Sequence, residues 1–170
     1  ANPTRFSTSA ALELRNDDGT VAGSFNAVLD ARNTLAGSLS EFFPGLPARF
    51  AGYVVAQGDT DLVALALVQS ASSLALIPGQ PLMDTSPAKL VAPGFTTGGA
   101  NHRSRVTLAN PGAQTAAVTL RLVGDNGANL AAPLNVNLAA GQQYRAELAQ
   151  AFGLNAATPT TGSLIVEGSV

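Results

Sequence analysis

Hydrophobic and polar residues alternate along much of the chain. In residues 9–15 the even positions are apolar and three of the four odd positions are polar, as in a strand that buries one face. The Asp18-Gly19 pair that follows supplies the positive φ that a tight reversal needs. Similar alternating runs recur at a spacing of roughly ten residues, separated by turn-forming residues. The pattern predicts short antiparallel strands.

The predicted strands form two series. The first comprises residues 9–15, 21–29, 34–37, 52–57, 62–69 and 73–77, and the second comprises 104–110, 116–123, 134–138, 142–147 and 163–167. The near-continuous apolar run of 62–69 predicts a strand covered on both faces. Ser38 and Glu41 have capping-box spacing ahead of Pro44, so we predict a short helical turn there. A second turn of helix is expected at 148–152.

The sequence repeats itself after about one hundred residues. Ala109-Asn110-Pro111 restates Ala1-Asn2-Pro3, and Leu120, Leu122 and Gly127 fall on Leu12, Leu14 and Gly19 at a constant spacing of 108 residues. Later matches are spaced by 109 and then by 110 residues, which two single-residue insertions explain. A period this long exceeds the roughly 20 to 50 residues of a solenoid unit. It fits one small domain per repeat.

The repeat and the strand series together predict an all-β chain. We expect two tandem antiparallel β-sandwich domains, each with one short helical turn. The first domain is predicted at residues 1–86 and the second at 87–170, joined by an irregular connection over 80–99. The predicted core consists of apolar residues on the inward faces of the strands, namely Leu12, Leu14, Val54, Val63, Leu65, Leu67, Leu120, Leu122, Leu164 and Val166.

The composition narrows the range of functions. Charged residues make up only 12% of the 170 residues and the net charge is −2, so the basic surface of a nucleic-acid-binding protein is absent. No apolar run reaches the roughly 18 to 20 residues of a membrane helix, and we expect no transmembrane segment. The absence of Cys excludes disulfides and soft-metal sites. A neutral surface of Thr, Ser, Asn, Gln and Gly suits a protein that lies against its own copies or a matrix, which favours an extracellular or cell-surface location.

Candidate chemical groups are few. Asp17, Asp18, Asp59 and Asp61 lie in predicted turns and offer oxygen ligands to Ca²⁺, which needs roughly six to eight of them. The same residues are typical of hairpin turns, and no EF-hand loop is present. His102, the only histidine, lies in a loop without a partner carboxylate nearby in sequence, which favours a solvated side chain over a zinc ligand or a catalytic base. No nucleophile elbow occurs, so we expect neither an enzyme nor a cofactor.

An aromatic cluster in the first repeat has two interpretations. Phe42, Phe43, Phe50 and Tyr53 could form a sugar-stacking surface or pack the short helix against the sheets. Carbohydrate sites usually expose Trp or Tyr, and the chain has no Trp and two Tyr. Core packing is therefore the favoured interpretation.

Several motifs resemble the repeats of large secreted bacterial surface proteins. They are the strand end Leu108-Ala109-Asn110-Pro111, the run at 119–127, the turn at 138–142, the Leu-x-x-x-Phe helix at 148–152 and the closing strand at 162–168. In the first repeat, Asp30-Ala31-Arg32-Asn33 replaces the Ala-Ala-Gly-Gln turn of the second. The resemblance implies Ig-like β-sandwich domains strung head to tail, generally without assigned activity.

Each repeat lacks strands that the other repeat contains. The second stops at Val170 without counterparts of 62–69 and 73–77, and the first has no counterpart of 103–108. Either the sequence is an excerpt of a longer array, or the unpaired strand edges recruit strands from neighbours. In the second case we predict self-assembly into a bacterial surface filament or layer by head-to-tail strand complementation. The predicted contact residues are Val170 and an N-terminal segment that we expect to be free to reach another copy, namely Ala1, Asn2, Pro3, Thr4, Arg5 and Phe6.

The alternative function is a non-catalytic binding or adhesion module of a secreted multi-repeat protein. Such a module would bind carbohydrate or depend on Ca²⁺, with glycans or the extracellular matrix as its partners.

Overall fold

The computed structural model describes residues 1–69, 74–78, 89–99 and 102–169. The described chain is mostly β, with antiparallel sheets and two helices of about one turn. It divides into two compact units, unit 1 with Ala1–Asn16 and Thr20–Leu82, and unit 2 with Asp17–Gly19 and Met83–Val170. The expectation of an all-β chain with antiparallel sheets is confirmed.

Unit 1 is built on a three-stranded sheet. Its described elements are β1 (Thr8–Asn16), β2 (Val21–Leu29), α1 (Leu39–Phe42), β3 (Gly52–Gly58), β4 (Leu65–Gln69) and β5 (Leu74–Pro78). The sheet has the order β2-β1-β3, so β1 is central, and both of its neighbours run antiparallel to it. β4 and β5 pair antiparallel with each other as a separate two-stranded sheet.

Unit 2 contains two sheets. Its described elements are β6 (Lys89–Thr97), β7 (Arg105–Ala109), β8 (Ala116–Val123), β9 (Leu134–Leu138), β10 (Gln143–Glu147), α2 (Leu148–Ala151) and β11 (Thr160–Ser169). A four-stranded antiparallel sheet has the order β6-β11-β8-β9, and β7 pairs with β10 in a second sheet.

The sequence repeat is also a repeat of strand pairing. The order β2-β1-β3 of unit 1 corresponds to β9-β8-β11 of unit 2. The residues paired across the central strand correspond one to one, Leu12 with Phe25 and Ala56 in unit 1, and Leu120 with Leu134 and Val166 in unit 2. Because a slip of one residue would turn every side chain to the other face, this shared register places equivalent residues on equivalent faces.

One glycine in each repeat lies where two strands approach closely. A Cβ atom on Gly52 would collide with the carbonyl oxygen of Arg15, and one on Gly162 would collide with the carbonyl oxygen of Val123. Any larger residue would push the paired strands apart. Glycine recurs at this position because the opposing backbone leaves no room for a side chain.

Both sheets of unit 2 contribute to its core. Leu120, Leu122 and Leu164 of the four-stranded sheet are buried together with Val106 of β7 and Leu148 of α2. The side chains that pack against this cluster from β7 and β10 are Leu108, Tyr144 and Ala146. The pair β7-β10 therefore covers the inner face of the larger sheet.

Fewer apolar side chains are buried in unit 1 than in unit 2 among the described residues. The buried apolar residues of unit 1, among those described, are Ala10, Leu14, Leu29 and Phe43. Phe43 occupies the space beside Gly23, where a Cβ atom would lie 3.1 Å from its ring. The ring of Phe42 packs on Phe25 with centroids 5.1 Å apart and planes tilted by 45°, within the usual range for aromatic pairs. Phe42 and Phe43 thus pack inside the unit.

The predicted core residues of unit 2 are more deeply buried than those of unit 1. Leu14, Leu120, Leu122 and Leu164 are buried, as predicted, whereas Leu12 and Val166 are half-buried. The predictions for Val54, Val63 and Leu65 are wrong, since all three are exposed. The side chain of Leu67 lies outside the described residues. Residues 63–66 are all exposed, so the predicted coverage of 62–69 on both faces is wrong for the side chains that the structure describes.

Three predicted elements differ from the structure. Residues 34–37 are not a strand, because their counterparts in β10 pair with β7 and no described strand of unit 1 provides that partner. β4 begins at Leu65 rather than at residue 62. The connection predicted over 80–99 contains β6 at Lys89–Thr97, and the rest of it, with the predicted boundary at 86 and 87, lies mostly outside the described residues.

The first helix begins as predicted. The backbone N–H of Glu41 donates to the Ser38 hydroxyl at 3.3 Å, and the N–H of Ser38 donates to the Glu41 carboxylate at 2.5 Å. This second hydrogen bond lowers the pKa of the Glu41 carboxyl. Within the ranges that the structure describes, no helix has the length and apolar character needed to cross a membrane.

The two helices provide a matched test of the difference between the cores. Leu148 is 2% exposed and Leu39, at the equivalent position of α1, is 50% exposed. We expect Leu148→Ala to lower the free energy of unfolding by about 2–5 kcal/mol, because it leaves a cavity in a packed core. Leu39→Ala should lower it by less than about 1 kcal/mol. Urea denaturation measures both, and equal losses would contradict the difference in burial.

Arg32 generates a second prediction. It has φ 58° and takes the place of Gly141 of unit 2, which has φ 71°. A side chain in this region costs about 1–2 kcal/mol, and glycine costs about 0.5–1 kcal/mol of extra chain entropy. We expect Arg32→Gly to raise the free energy of unfolding by about 0.5 kcal/mol. Arg49→Gly, at an exposed position, is the control, and a similar rise in both variants would refute the explanation.

Candidate functional site

The most unusual polar residue of unit 1 is Asn2, which is only 1% exposed, although amide side chains mostly lie at the surface. Its Nδ2 donates to the carbonyl oxygens of Phe6, Leu29 and Asp30 at 2.8, 3.1 and 3.1 Å. Its Oδ1 accepts from the backbone N–H and the hydroxyl of Thr4 at 3.0 and 2.8 Å. A single amide thus ties the start of the unit to the end of β2.

Asn110 makes the same set of bonds in unit 2. Its Nδ2 donates to the carbonyl oxygens of Gln114, Leu138 and Ala139 at 2.7, 3.0 and 3.0 Å. Its Oδ1 accepts from the backbone N–H of Gly112 at 3.1 Å. Each partner is the repeat counterpart of a partner of Asn2, so the hydrogen-bond network is repeated along with the sequence. We call this arrangement the asparagine clamp.

The backbone of the clamp is repeated as well. The N–H of Asn2 donates to the carbonyl of Asn33, and the N–H of Asn110 donates to the carbonyl of Gln142, both at 2.9 Å. A proline follows each asparagine, which disfavours the α region for the asparagine and keeps it extended. The clamp therefore joins three segments: the strand entering the unit, the end of the second sheet strand and the turn after it.

The clamp is a structural joint. Its amide is neutral at every physiological pH, it donates and accepts at once, and all of its partners belong to the backbone or to a neighbouring hydroxyl. A group of this kind can therefore bridge backbone groups of several segments at once. The residues that the repeat preserves most clearly thus have a role in holding the fold.

The four acidic residues that are candidate Ca²⁺ ligands lie in two places. The backbone N–H of Ser9 donates to the Asp59 carboxylate at 3.3 Å, near the start of β1, and Asp61 follows two residues later. Asp17 and Asp18 come after the last residue of the nine-residue β1. The part of the chain that is described contains no group of three or more His, Cys, Asp or Glu placed to hold a metal ion.

His102 is exposed, and its carbonyl accepts a hydrogen bond from the N–H of Gly98 at 2.9 Å. This contact closes a short bridge before β7 and involves only the backbone.

The N-terminal segment does not have the freedom that we expected. Asn2 is clamped within unit 1 and Thr8 is buried, while Ala1 and Val63 exchange backbone hydrogen bonds at 2.6 and 3.0 Å. Releasing the segment would leave the Asn2 partners unsatisfied, so the expectation of a freely available strand is wrong. The side chain of Phe6 is exposed, and Val170 lies outside the described residues.

Two shallow depressions occur on the described surface. One, of about 270 Å³, lies beside α1 and is lined by Asn16, Ala22, Gly23, Ser24, Phe43, Pro44, Gly45, Leu46, Pro47 and Phe50. The other, of about 440 Å³, lies on the outer face of β8, β9 and β11 and is lined by Ala117, Val118, Thr119, Asn135, Asn137, Glu167 and Gly168. In the second, the hydroxyl of Thr119 donates to the Asn135 side chain at 2.8 Å, so part of its polar lining is already paired.

Comparison with known proteins gives no match for this chain among family models, curated proteins or solved structures.

Sequence reasoning did not identify the clamp. Asn2 was assigned to a contact between copies and Asn110 only to a motif of the repeat. The available signal was a polar residue, followed by proline, that recurs in register with the core leucines. A polar group conserved between internal repeats at such a place indicates a hydrogen-bonding role.

Removing the clamp tests its role. We expect Asn110→Ala to lower the free energy of unfolding by about 1–3 kcal/mol, because it removes the hydrogen bonds to Gln114, Leu138 and Ala139 and each is worth about 1 kcal/mol. Asn110→Asp should be similarly damaging, since a carboxylate offers no N–H to Leu138 and Ala139. Asn137→Ala, at an exposed position of β9, should change stability by less than about 0.5 kcal/mol. A clamp variant as stable as this control in urea would refute the role.

Proposed function

We propose that this chain is a structural segment of an extracellular bacterial surface protein. It consists of tandem Ig-like β-sandwich domains and assembles into a filament or layer by β-strand complementation between polypeptides. The proposal joins the resemblance to secreted surface repeats with the construction of the two units.

The proposal rests on the kind of residue that recurs in both repeats. The asparagine clamp, the glycines of close strand approach and the leucines of the central strand recur in both units. These residues hold a fold together and offer no reactive group. Repetition of a scaffold, with turns and edges as the variable parts, is the organisation of an array protein.

A carbohydrate-binding module is the second candidate function. The depression over β8, β9 and β11 presents amide, hydroxyl and carboxylate groups, which suit sugar hydroxyls. Its lining contains no aromatic ring for stacking, so this function has less support than the structural one.

Electron microscopy and light scattering of the purified chain test the proposed function. We expect ordered fibres or sheets whose mass grows with concentration in the absence of any ligand. Asn2→Ala is the control: it weakens the folded unit, so ordered assemblies should decrease while amorphous aggregates increase. A chain that stays monomeric at high concentration, and whose melting temperature rises with glycans or Ca²⁺, would overturn the structural function in favour of the binding module.

A further inference from the structure

The turn after β8 has the sequence Gly124-Asp125-Asn126-Gly127. Its backbone is closed by a hydrogen bond from the N–H of Gly127 to the carbonyl oxygen of Gly124, at 2.9 Å. Asn126 and Gly127 are both exposed, and a Cβ atom placed on Gly127 would have no described atom within 4 Å apart from those of its neighbours in the chain. The Asn126 carboxamide therefore lies beside a peptide bond that is open to solvent.

The Asn126 side chain is folded over that peptide bond. Its Oδ1 accepts a hydrogen bond from the backbone N–H of Ala128 at 3.0 Å, which is the arrangement of an Asx turn. A donor at this oxygen stabilises the negative charge that develops there when a nucleophile attacks Cγ. The nearest backbone nucleophile along the chain is the nitrogen of Gly127, and its attack on Cγ closes a five-membered ring.

We propose that Asn126 is a site of spontaneous deamidation, with water as the only co-reactant. The Gly127 nitrogen forms a bond to Cγ of Asn126, the bond from Cγ to Nδ2 breaks, and Nδ2 leaves as ammonia with the proton that the Gly127 nitrogen loses. Water then opens the five-membered imide at one of its carbonyl carbons. Opening at the main-chain carbonyl gives isoaspartate, whose main chain runs through Cγ, and opening at Cγ gives aspartate.

Asn155 shows which feature of the turn makes Asn126 reactive. Asn155 is exposed, and its Oδ1 accepts from the N–H of Ala157 at 2.9 Å, the same contact that Asn126 makes with Ala128. The residue after Asn155 is alanine, whose Cβ crowds the attacking nitrogen, whereas glycine has no Cβ. Asn126 therefore reacts faster than Asn155, although the two side chains are held in the same way.

Asn129 follows in the same turn and is held back by packing. The N–H of Leu130 donates to the carbonyl oxygen of Leu122 at 2.9 Å, and the Leu130 side chain packs against the core of unit 2. The nitrogen that would attack Asn129 is therefore fixed in place, whereas the hydrogen bond of Gly127 lies at an exposed turn. Hydrogen bonds at such turns open without unfolding of the whole domain, so the reaction at Asn126 proceeds from the folded chain.

Proline protects the two asparagines of the clamp. Pro3 follows Asn2 and Pro111 follows Asn110, and the nitrogen of a proline carries no hydrogen that it could lose. A neutral imide therefore cannot form at either clamp residue. The amides that hold the fold are thus spared by the reaction that converts Asn126.

The repeat indicates that the fold accepts the aspartate product. Asn126 takes the place of Asp18 at the constant spacing of 108 residues, in a turn that also ends in glycine. Isoaspartate instead lengthens the main chain by one atom between Gly124 and Gly127, whose hydrogen bond closes the turn. Both products replace a neutral amide with a carboxylate next to Asp125, so the reaction changes the charge of an exposed turn without removing a core residue.

Peptide mapping by mass spectrometry tests the site on the full chain. Residues 1–170 are incubated in the folded state at mildly alkaline pH, where more of the attacking nitrogen is deprotonated. We expect Asn126 to be converted to a mixture of aspartate and isoaspartate about tenfold faster than Asn155, because glycine leaves the attacking nitrogen uncrowded. Ala156→Gly is the matched variant, and it should raise the rate at Asn155 by about tenfold for the same reason.

Incubation in urea separates reaction of the folded chain from reaction of unfolded molecules. The rate at Asn126 in the folded chain should stay within about tenfold of its rate in urea, because only an exposed turn has to open. Circular dichroism verifies that the chain without urea keeps its β spectrum. Equal rates at Asn126 and Asn155 in the folded chain, conversion of Asn126 in urea alone, or an unchanged rate at Asn155 in the Ala156→Gly variant would each overturn the proposal.

Discussion

The fold depends on one repeated interaction, the hydrogen bonding of a single asparagine side chain to several backbone groups. Asn2 and Asn110 each donate to three carbonyl oxygens and accept from the residue two positions later. The carbonyls belong to the end of a sheet strand and to the turns beside it, and each of these hydrogen bonds is worth about 1 kcal/mol. The clamp thus fixes where the chain enters each unit relative to its sheet.

The two units have the same strand pairing in their sheets but differ in how those sheets are packed. In unit 2, β7 enters the clamp and lies over the sheet, so Leu120, Leu148 and Leu164 are buried. In unit 1 the clamp and the three-stranded sheet are the same, but no described strand covers that face. Leu39 and Val54 remain exposed as a result.

Local signals allowed much of the secondary structure to be predicted. The strands Val21–Leu29, Ala116–Val123 and Leu134–Leu138 have the predicted bounds, because alternation and turn residues lie within each segment. The cap formed by Ser38 and Glu41 was also predictable from its spacing. Burial was less predictable: Val54 and Leu65 have the pattern of core residues, yet whether they are buried depends on a second layer that their own strands do not contain. The clamp was missed for a related reason, since its partners lie up to about thirty residues from the asparagine and only the fold brings them together.

Amide hydrogen exchange of the free chain, resolved by residue in NMR spectra, measures directly whether the two units differ in the layer over their sheets. We expect the amides of residues 143–147, which pair with β7, to exchange slowly, and those of the equivalent residues 34–38 to exchange at rates close to those of an unstructured chain. Leu14 and Leu122, in the central strands of the two sheets, should both be protected. Equal protection of residues 34–38 and 143–147 in the monomeric chain would contradict this difference, because it would mean that residues 34–38 are also held in a sheet.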